Sequence, residues 1–141
     1  MKISKSFTLI ELMIVLLIVG VLASLGIANY SSAREGAFDR EAQANLNLIL
    51  AAERIARMES NTNPAVYLTP AANTNTGINQ DLNLLLPVNN PAWDYTIRTC
   101  NSGVNFCAQA ERNLAAVRRW CISNNNTVPS PNQCNACTCN P

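Results

Sequence analysis

The sequence predicts an α+β chain. A long N-terminal helix, its first half apolar and its second half amphipathic, should pack on a small antiparallel β-sheet that runs into a disulfide-bonded C-terminal region. Three observations predict this. Residues 7–28, FTLIELMIVLLIVGVLASLGIA, form an apolar run whose only charged side chain is Glu11. Residues 37–58 have no Gly or Pro and repeat apolar side chains at helical spacing. Beyond residue 90 the pattern changes to short alternating runs, with six cysteines between Cys100 and Cys139.

The first six residues, MKISKS, carry Lys2, Lys5 and no acid, as a cytoplasmic flank does. An ordinary secretory signal is cut after its apolar stretch. Here the attractive site lies before it, between Ser6 and Phe7, so that cleavage would leave the apolar segment on the mature chain. That segment has 22 residues, about 33 Å as a helix, enough to cross the hydrocarbon layer. Gly20, Ser24 and Ala28 recur every four residues and form a stripe of small side chains that lets another helix approach closely. Glu11 lies half a turn away from Gly20 on the helical wheel. A carboxylate within lipid costs on the order of 2.5–3.5 kcal/mol near the centre of a span and less near its end. A simple anchor would have an apolar residue there. Glu11 therefore asks for a partner charge, and the amine of a newly made N-terminus at Phe7 is the best candidate.

A short basic leader, then FTLIEL and an apolar helix, resembles the N-terminus of type IV pilins and of the related secretion pseudopilins. The resemblance covers about the first 30 residues. It implies a prepilin peptidase that cuts between Ser6 and Phe7 and methylates the amine of Phe7. It also implies a helical filament in which Glu11 docks one subunit on the next, and a type IV pilin-like fold. Two positions depart from the family pattern: Ser6 stands where Gly is usual, and Ala28 where a Pro is common.

The helix should continue past residue 28, with Gly36 as its weak point, and stop at ESNTNP, residues 59–64. Phe38, Ala42, Leu46, Ile49, Ala52 and Ala56 share one face, Leu48 and Ile55 lie at its edge, and Arg40, Gln43, Asn47 and Arg54 lie opposite. Residues 61–80, rich in Asn, Thr, Pro and Ala, read as a surface loop, followed by a short apolar run at 81–86 and a turn at 89–92. WDYTIRTC, residues 93–100, alternates as a half-buried strand does. Residues 104–108 and 115–123 are further strand candidates, and NNNTVPSPNQ reads as a turn-rich connection. The domains expected are thus a leader at 1–6, a transmembrane or filament-core helix at 7–28, an amphipathic helix at 29–60 and a globular head at 61–141.

The six cysteines, Cys100, Cys107, Cys121, Cys134, Cys137 and Cys139, lie in the exported part of the chain and read as three disulfides of open connectivity. Each would contribute about 2–4 kcal/mol. Cys137 and Cys139 are too close to pair with each other, so at least one should tie the tail to the strands. The rival for C-x-x-C at 134–137 is zinc, which an oxidising compartment disfavours. No metal and no cofactor are expected.

An enzyme is not expected either. There is no His, the acids after Glu59 are only Asp81, Asp94 and Glu111, and no phosphate loop or nucleophile motif occurs. Removal of Lys2 and Lys5 leaves 8 basic against 9 acidic side chains, a net of −1, which would not attract nucleic acid. Arg112, Arg118 and Arg119 near Trp120 read as a solvated strand edge beside a core aromatic in preference to a DNA grip.

The expected function is a structural subunit of a type IV pilus. Its partners would be copies of itself, the prepilin peptidase, the pilus or secretion assembly machinery, and the inner membrane before assembly. The precursor would lie in the inner membrane and the product in an extracellular filament. A pseudopilin of a type II secretion system, in a periplasmic pseudopilus, is the alternative. By resemblance, major pseudopilins hold calcium in a C-terminal carboxylate loop, and residues 112–141 contain no Asp or Glu. A third reading, a membrane-anchored disulfide-bonded binding module, leaves Glu11 without a role.

Overall fold

The computed structural model describes residues 7–63, 65–89, 92–100, 102–112 and 118–131, with the backbone alone at 25–29. The chain divides between Ala37 and Phe38 into an N-terminal unit and a head. The fold is α+β. Its elements are α1 (Leu9–Glu59), α2 (Asn75–Leu82), β1 (Asp94–Cys100), β2 (Asn105–Glu111), β3 (Arg119–Ser123) and β4 (Ser130–Pro131). Helix α1 runs through Gly36 without a break in its assignment and ends at Glu59, where the sequence places the stop.

The strands form one four-stranded antiparallel sheet in the order β1-β2-β3-β4. Ser102 and Gly103 turn β1 into β2 with positive φ values of 55° and 87°. Gly103 is required twice there, because an added Cβ would also press on the Val66 side chain at 2.8 Å. Alternation then sorts the side chains. Tyr95, Ile97, Phe106, Ala108, Ala110 and Ile122 join Ala42, Leu46, Ile49 and Leu50 of α1 in one buried cluster, completed by Ile78, Leu82 and Trp93. The core positions expected on the α1 face hold, with Leu50 added.

The register puts Cys100, Cys107 and Cys121 on the other face of the sheet: Arg98 pairs with Cys107, and Gln109 with Cys121. These three cysteines are disulfide-bonded. Cys134, Cys137 and Cys139 lie outside the described residues.

The structure corrects the reading of residues 61–80 as an irregular loop. Asn75–Leu82 is helical. Thr74 caps it, its Oγ1 accepting the Gly77 N–H at 3.2 Å, and Asn83 closes it in the left-handed region with φ 52°. A Cβ at Gly77 would collide with the Ala72 carbonyl. The Asn-rich composition has a physical use. Asn75 is buried; its Nδ2 donates to Pro87 O (2.8 Å) and Trp93 O (3.0 Å), and its Oδ1 accepts from Tyr95 N (2.8 Å). Asn73 accepts from Ile97 N at 2.6 Å and donates to Ile97 O at 2.9 Å. Two side-chain amides thus stand in for a neighbouring strand along the outer edge of β1. Asn79 does the same for Leu86, donating to its O at 2.8 Å and accepting from its N at 2.7 Å. The opposite edge is the two-residue β4, which ends in Pro131. Strand β4 falls within the stretch read as a turn, β2 extends past 108 to Glu111, and β3 is described from Arg119.

Among the described residues, no helix is long and apolar enough to cross a membrane. Part of the 7–28 segment expected to be a transmembrane or filament-core helix, the side chains of 25–29, lies outside the described residues.

Replacing Asn75 with Ala leaves two carbonyls and one N–H unpaired in the core. Urea unfolding of Asn75→Ala is expected to show a loss of about 2–4 kcal/mol. Asn125→Ala, on the exposed β3–β4 connection, should fall within about 0.5 kcal/mol of the parent chain.

Candidate assembly segment

Thr8 precedes α1, and its hydroxyl sets the start of the helix. The Glu11 N–H reaches Thr8 O at 3.1 Å and Thr8 Oγ1 at 3.4 Å, and Leu12 N–H donates to Thr8 O at 3.3 Å. Glu11 is the acidic residue of the first turn. Thr8-Leu9-Ile10-Glu11 is therefore spaced as a capping box, and a carboxylate there also faces the positive end of the helix dipole, worth about 0.3–1 kcal/mol. The sequence reading assigned Glu11 no such local role, although T-x-x-E before an apolar run signals it. Among the described residues Glu11 has no ion-pair partner, and its side chain is exposed.

Phe7, the residue expected at the mature N-terminus, is 71% exposed. Ser6 lies outside the described residues. From Leu9 to Leu22 every large apolar side chain is exposed, on all sides of the helix. A helix apolar all round is one that belongs in an apolar environment. Gly20 and Ser24 both lie on exposed helix surface. An added Cβ at Gly20 meets nothing within 4 Å. The Ser24 hydroxyl donates to Val21 O at 2.8 Å, which satisfies it within its own turn. Ala28, the third member of the stripe, has no described side chain.

The head presents a second apolar surface. Ala44, Leu48, Ala51, Ile55 and Met58 on α1 are all exposed and alternate at spacings of four and three, the seam of a helix–helix contact. Leu48 and Ile55, read from sequence as the edge of the core face, are each 54% exposed. They line a groove of about 410 Å³ whose other wall is Asp81–Leu84.

Of the arginines near Trp120, Arg112 turns inward, while Arg118 and Arg119 are exposed. Arg112 is buried, its guanidinium 4.3 Å from the centre of the Phe38 ring. Trp93 Nε1 donates to Phe38 O at 2.9 Å. Arg118 pairs with Asp39 at 3.1 Å, and Trp120 Nε1 donates to the same carboxylate at 3.2 Å. Arg119 pairs with Glu111 at 3.2 Å. These contacts fasten β3 and the residues around it to α1.

Residues 1–27 match the family described as the prokaryotic N-terminal methylation motif. The chain carries a prepilin-type N-terminus. The match takes in Ser6, Phe7, Glu11, Gly20 and Ser24, and it stops one residue before Ala28. The match covers 27 of the 141 residues and supports a type IV pilin-like or pseudopilin-like reading of that N-terminus. Neither the curated proteins nor the solved structures gave a match.

Because Glu11 is exposed, its neutral replacement should leave the head intact. Glu11→Gln in detergent is expected to unfold within about 0.5 kcal/mol of the parent protein by circular dichroism in urea. A loss of several kcal/mol would make Glu11 a folding residue.

Proposed function

We propose that this chain is a structural, non-catalytic subunit of a type IV pilus, polymerising through its N-terminal helix after cleavage between Ser6 and Phe7. The observation that carries the reading is the motif at 1–27 leading into a helix with large apolar side chains exposed on every side through Leu22. Before assembly, residues 7–28 would lie in the inner membrane. A prepilin peptidase would then expose and methylate the amine of Phe7. In the filament, lipid would be replaced by helices of neighbouring copies, with Gly20 and Ser24 allowing close approach. Glu11 would meet the amine of Phe7 on an adjacent copy. Such a pair selects register, because a copy docked out of register leaves a buried charge alone at a cost of several kcal/mol. The outer seam of α1, from Ala44 to Met58, would be covered in the same packing. Three disulfides of open connectivity among the six cysteines would hold the surface of the head. The lack of acids in residues 112–141 favours a pilus over a calcium-holding pseudopilus.

Intact mass of protein sheared from the cell surface tests this directly. The expected species begins at methylated Phe7 and gains six alkyl groups only after reduction. A chain retaining Met1 and confined to membranes would overturn the reading. Glu11→Ala should deplete sheared filaments at least ~10-fold while the membrane pool persists, since register selection is lost. Unchanged filament yield would remove Glu11 from assembly.

A further inference from the structure

One ionisable group lies where folding alone gives no reason for it. Glu53 of α1 is 0% exposed. Its Oε2 accepts the Leu68 N–H at 3.0 Å, while Oε1 has no hydrogen-bond partner among the described residues. The segment it holds, residues 65–68, is a strap between the end of α1 and the β1–β2 turn. Arg57 Nε donates to Ala65 O at 3.1 Å, and Nη1 donates to Tyr67 Oη at 3.1 Å. The Val66 N–H approaches Ser60 Oγ at 3.4 Å, and the Tyr67 N–H donates to Gly103 O at 2.7 Å. The Tyr67 ring packs on Phe106 at 4.7 Å between centroids.

We propose that Glu53 is a proton-operated latch on this strap: the strap is closed over the neutral acid and opens when the carboxylate ionises. A neutral carboxyl with one hydrogen bond is tolerable in a core, whereas a carboxylate with one hydrogen bond and a bare oxygen is not. Ionisation therefore calls water to Oε1, and the strap, held to Glu53 by the Leu68 N–H, is a cover that can lift without breaking α1 or the sheet. The groups around Glu53 do not offset its charge. From α1, Arg57 directs its guanidinium to Ala65 O and over the Tyr67 ring at 4.7 Å, and Arg54 is exposed. From the strap comes the Tyr67 hydroxyl, and from the sheet the uncharged Phe106 and Gly103. Burial accordingly pushes the Glu53 carboxyl up to about 7 from its ordinary 4.5, with the Leu68 N–H pulling the other way.

The sign follows from linkage. An opened strap returns Glu53 to its ordinary acidity, so the open form releases a proton that the closed form holds. Closure is strongest below pH 4.5, weakens about tenfold per pH unit as pH rises toward 7, and levels off above the closed-state value. The pH range thus includes that of a mildly acidic to neutral exterior, and opening would free Tyr67 and enlarge the groove bounded by Arg57, Met58 and Ala65.

Amide hydrogen exchange on the full mature protein in detergent, corrected for intrinsic rates, tests the latch. Protection at Tyr67 and Leu68 is expected to fall at least ~10-fold between pH 5 and pH 7, while Ile97 and Ala108 in the sheet stay unchanged. In Glu53→Gln, the same amides should be independent of pH. Flat protection in the parent chain, or an equal pH response in Glu53→Gln, would overturn the proposal. Carbon-13 titration of the Glu53 carboxyl in the unmodified chain is an independent check that needs no variant. A midpoint near 7 supports the latch, and a midpoint near 4.5 refutes it.

Discussion

Helix α1 carries apolar side chains on more faces than its own head covers. Sheet and α2 take Ala42, Leu46, Ile49 and Leu50 into the core, while Leu48, Ile55 and Met58 on the outer side stay in solvent. Within the N-terminal unit the excess is larger, since Leu9, Ile10, Met13, Leu16, Leu17 and Leu22 are each more than 60% exposed. At roughly 25 cal/mol per Å², each such side chain gains on the order of 1.5–3 kcal/mol when it is covered. Under the proposed assembly, lipid and then neighbouring copies would cover the N-terminal stretch, and a packed partner would suit the seam of alternating Ala and large aliphatic residues on the head's part of the helix.

The sheet is built so that it does not compete for that association. An open strand edge invites pairing with another chain. Here the free side of β1 is occupied at Tyr95 and Ile97 by the amides of Asn75 and Asn73, and the far edge is two residues long and carries Pro131. Head-to-head contact by strand addition is thereby disfavoured at both edges. What remains for specific association is helix surface. Polar side chains in this head serve largely to complete backbone hydrogen bonds, and that is why so polar a composition can still support a buried core.

The same fact explains which elements the sequence discloses. Strand β1 was legible because Tyr95 and Ile97 alternate with Asp94, Thr96 and Arg98, and the α1 core face because Ala42, Leu46 and Ile49 repeat at helical spacing. Helix α2 was not. Its eight residues include two Asn, a Thr, a Gly and an Asp, and they contribute only Ile78 and Leu82 as large apolar anchors, so propensity and periodicity both pointed to a loop. Its existence depends on contacts distant in sequence, above all Asn75 on Trp93 and Tyr95. Glu53 was invisible for a related reason. A Glu within an amphipathic helix looks like solvated surface, and only the fold brings residues 65–68 over it. At the N-terminus the leader, Phe7 and Glu11 were legible because their chemistry is local, while the Thr8 cap on the Glu11 N–H was missed although its signal lies in the same stretch.

Glu11 and Glu53 show how one residue type serves opposite ends of a two-stage process. Glu11 costs the single chain little. It sits in the first turn of α1, where unpaired N–H groups and the dipole favour a carboxylate, with its backbone N–H already held by Thr8. In the proposed filament its electrostatic demand would arise only when that turn is carried into an apolar interior, where a partner amine would distinguish correct from incorrect docking. The demand would be deferred, and deferral would make the carboxylate a device for selecting neighbours instead of a folding defect. Glu53 meets its desolvation at folding, inside one head, with a single N–H for compensation. No second copy is needed to reveal its cost, and the external variable it answers to is the proton. Assembly and head opening are thus sensitive to different chemical signals although both reside on α1.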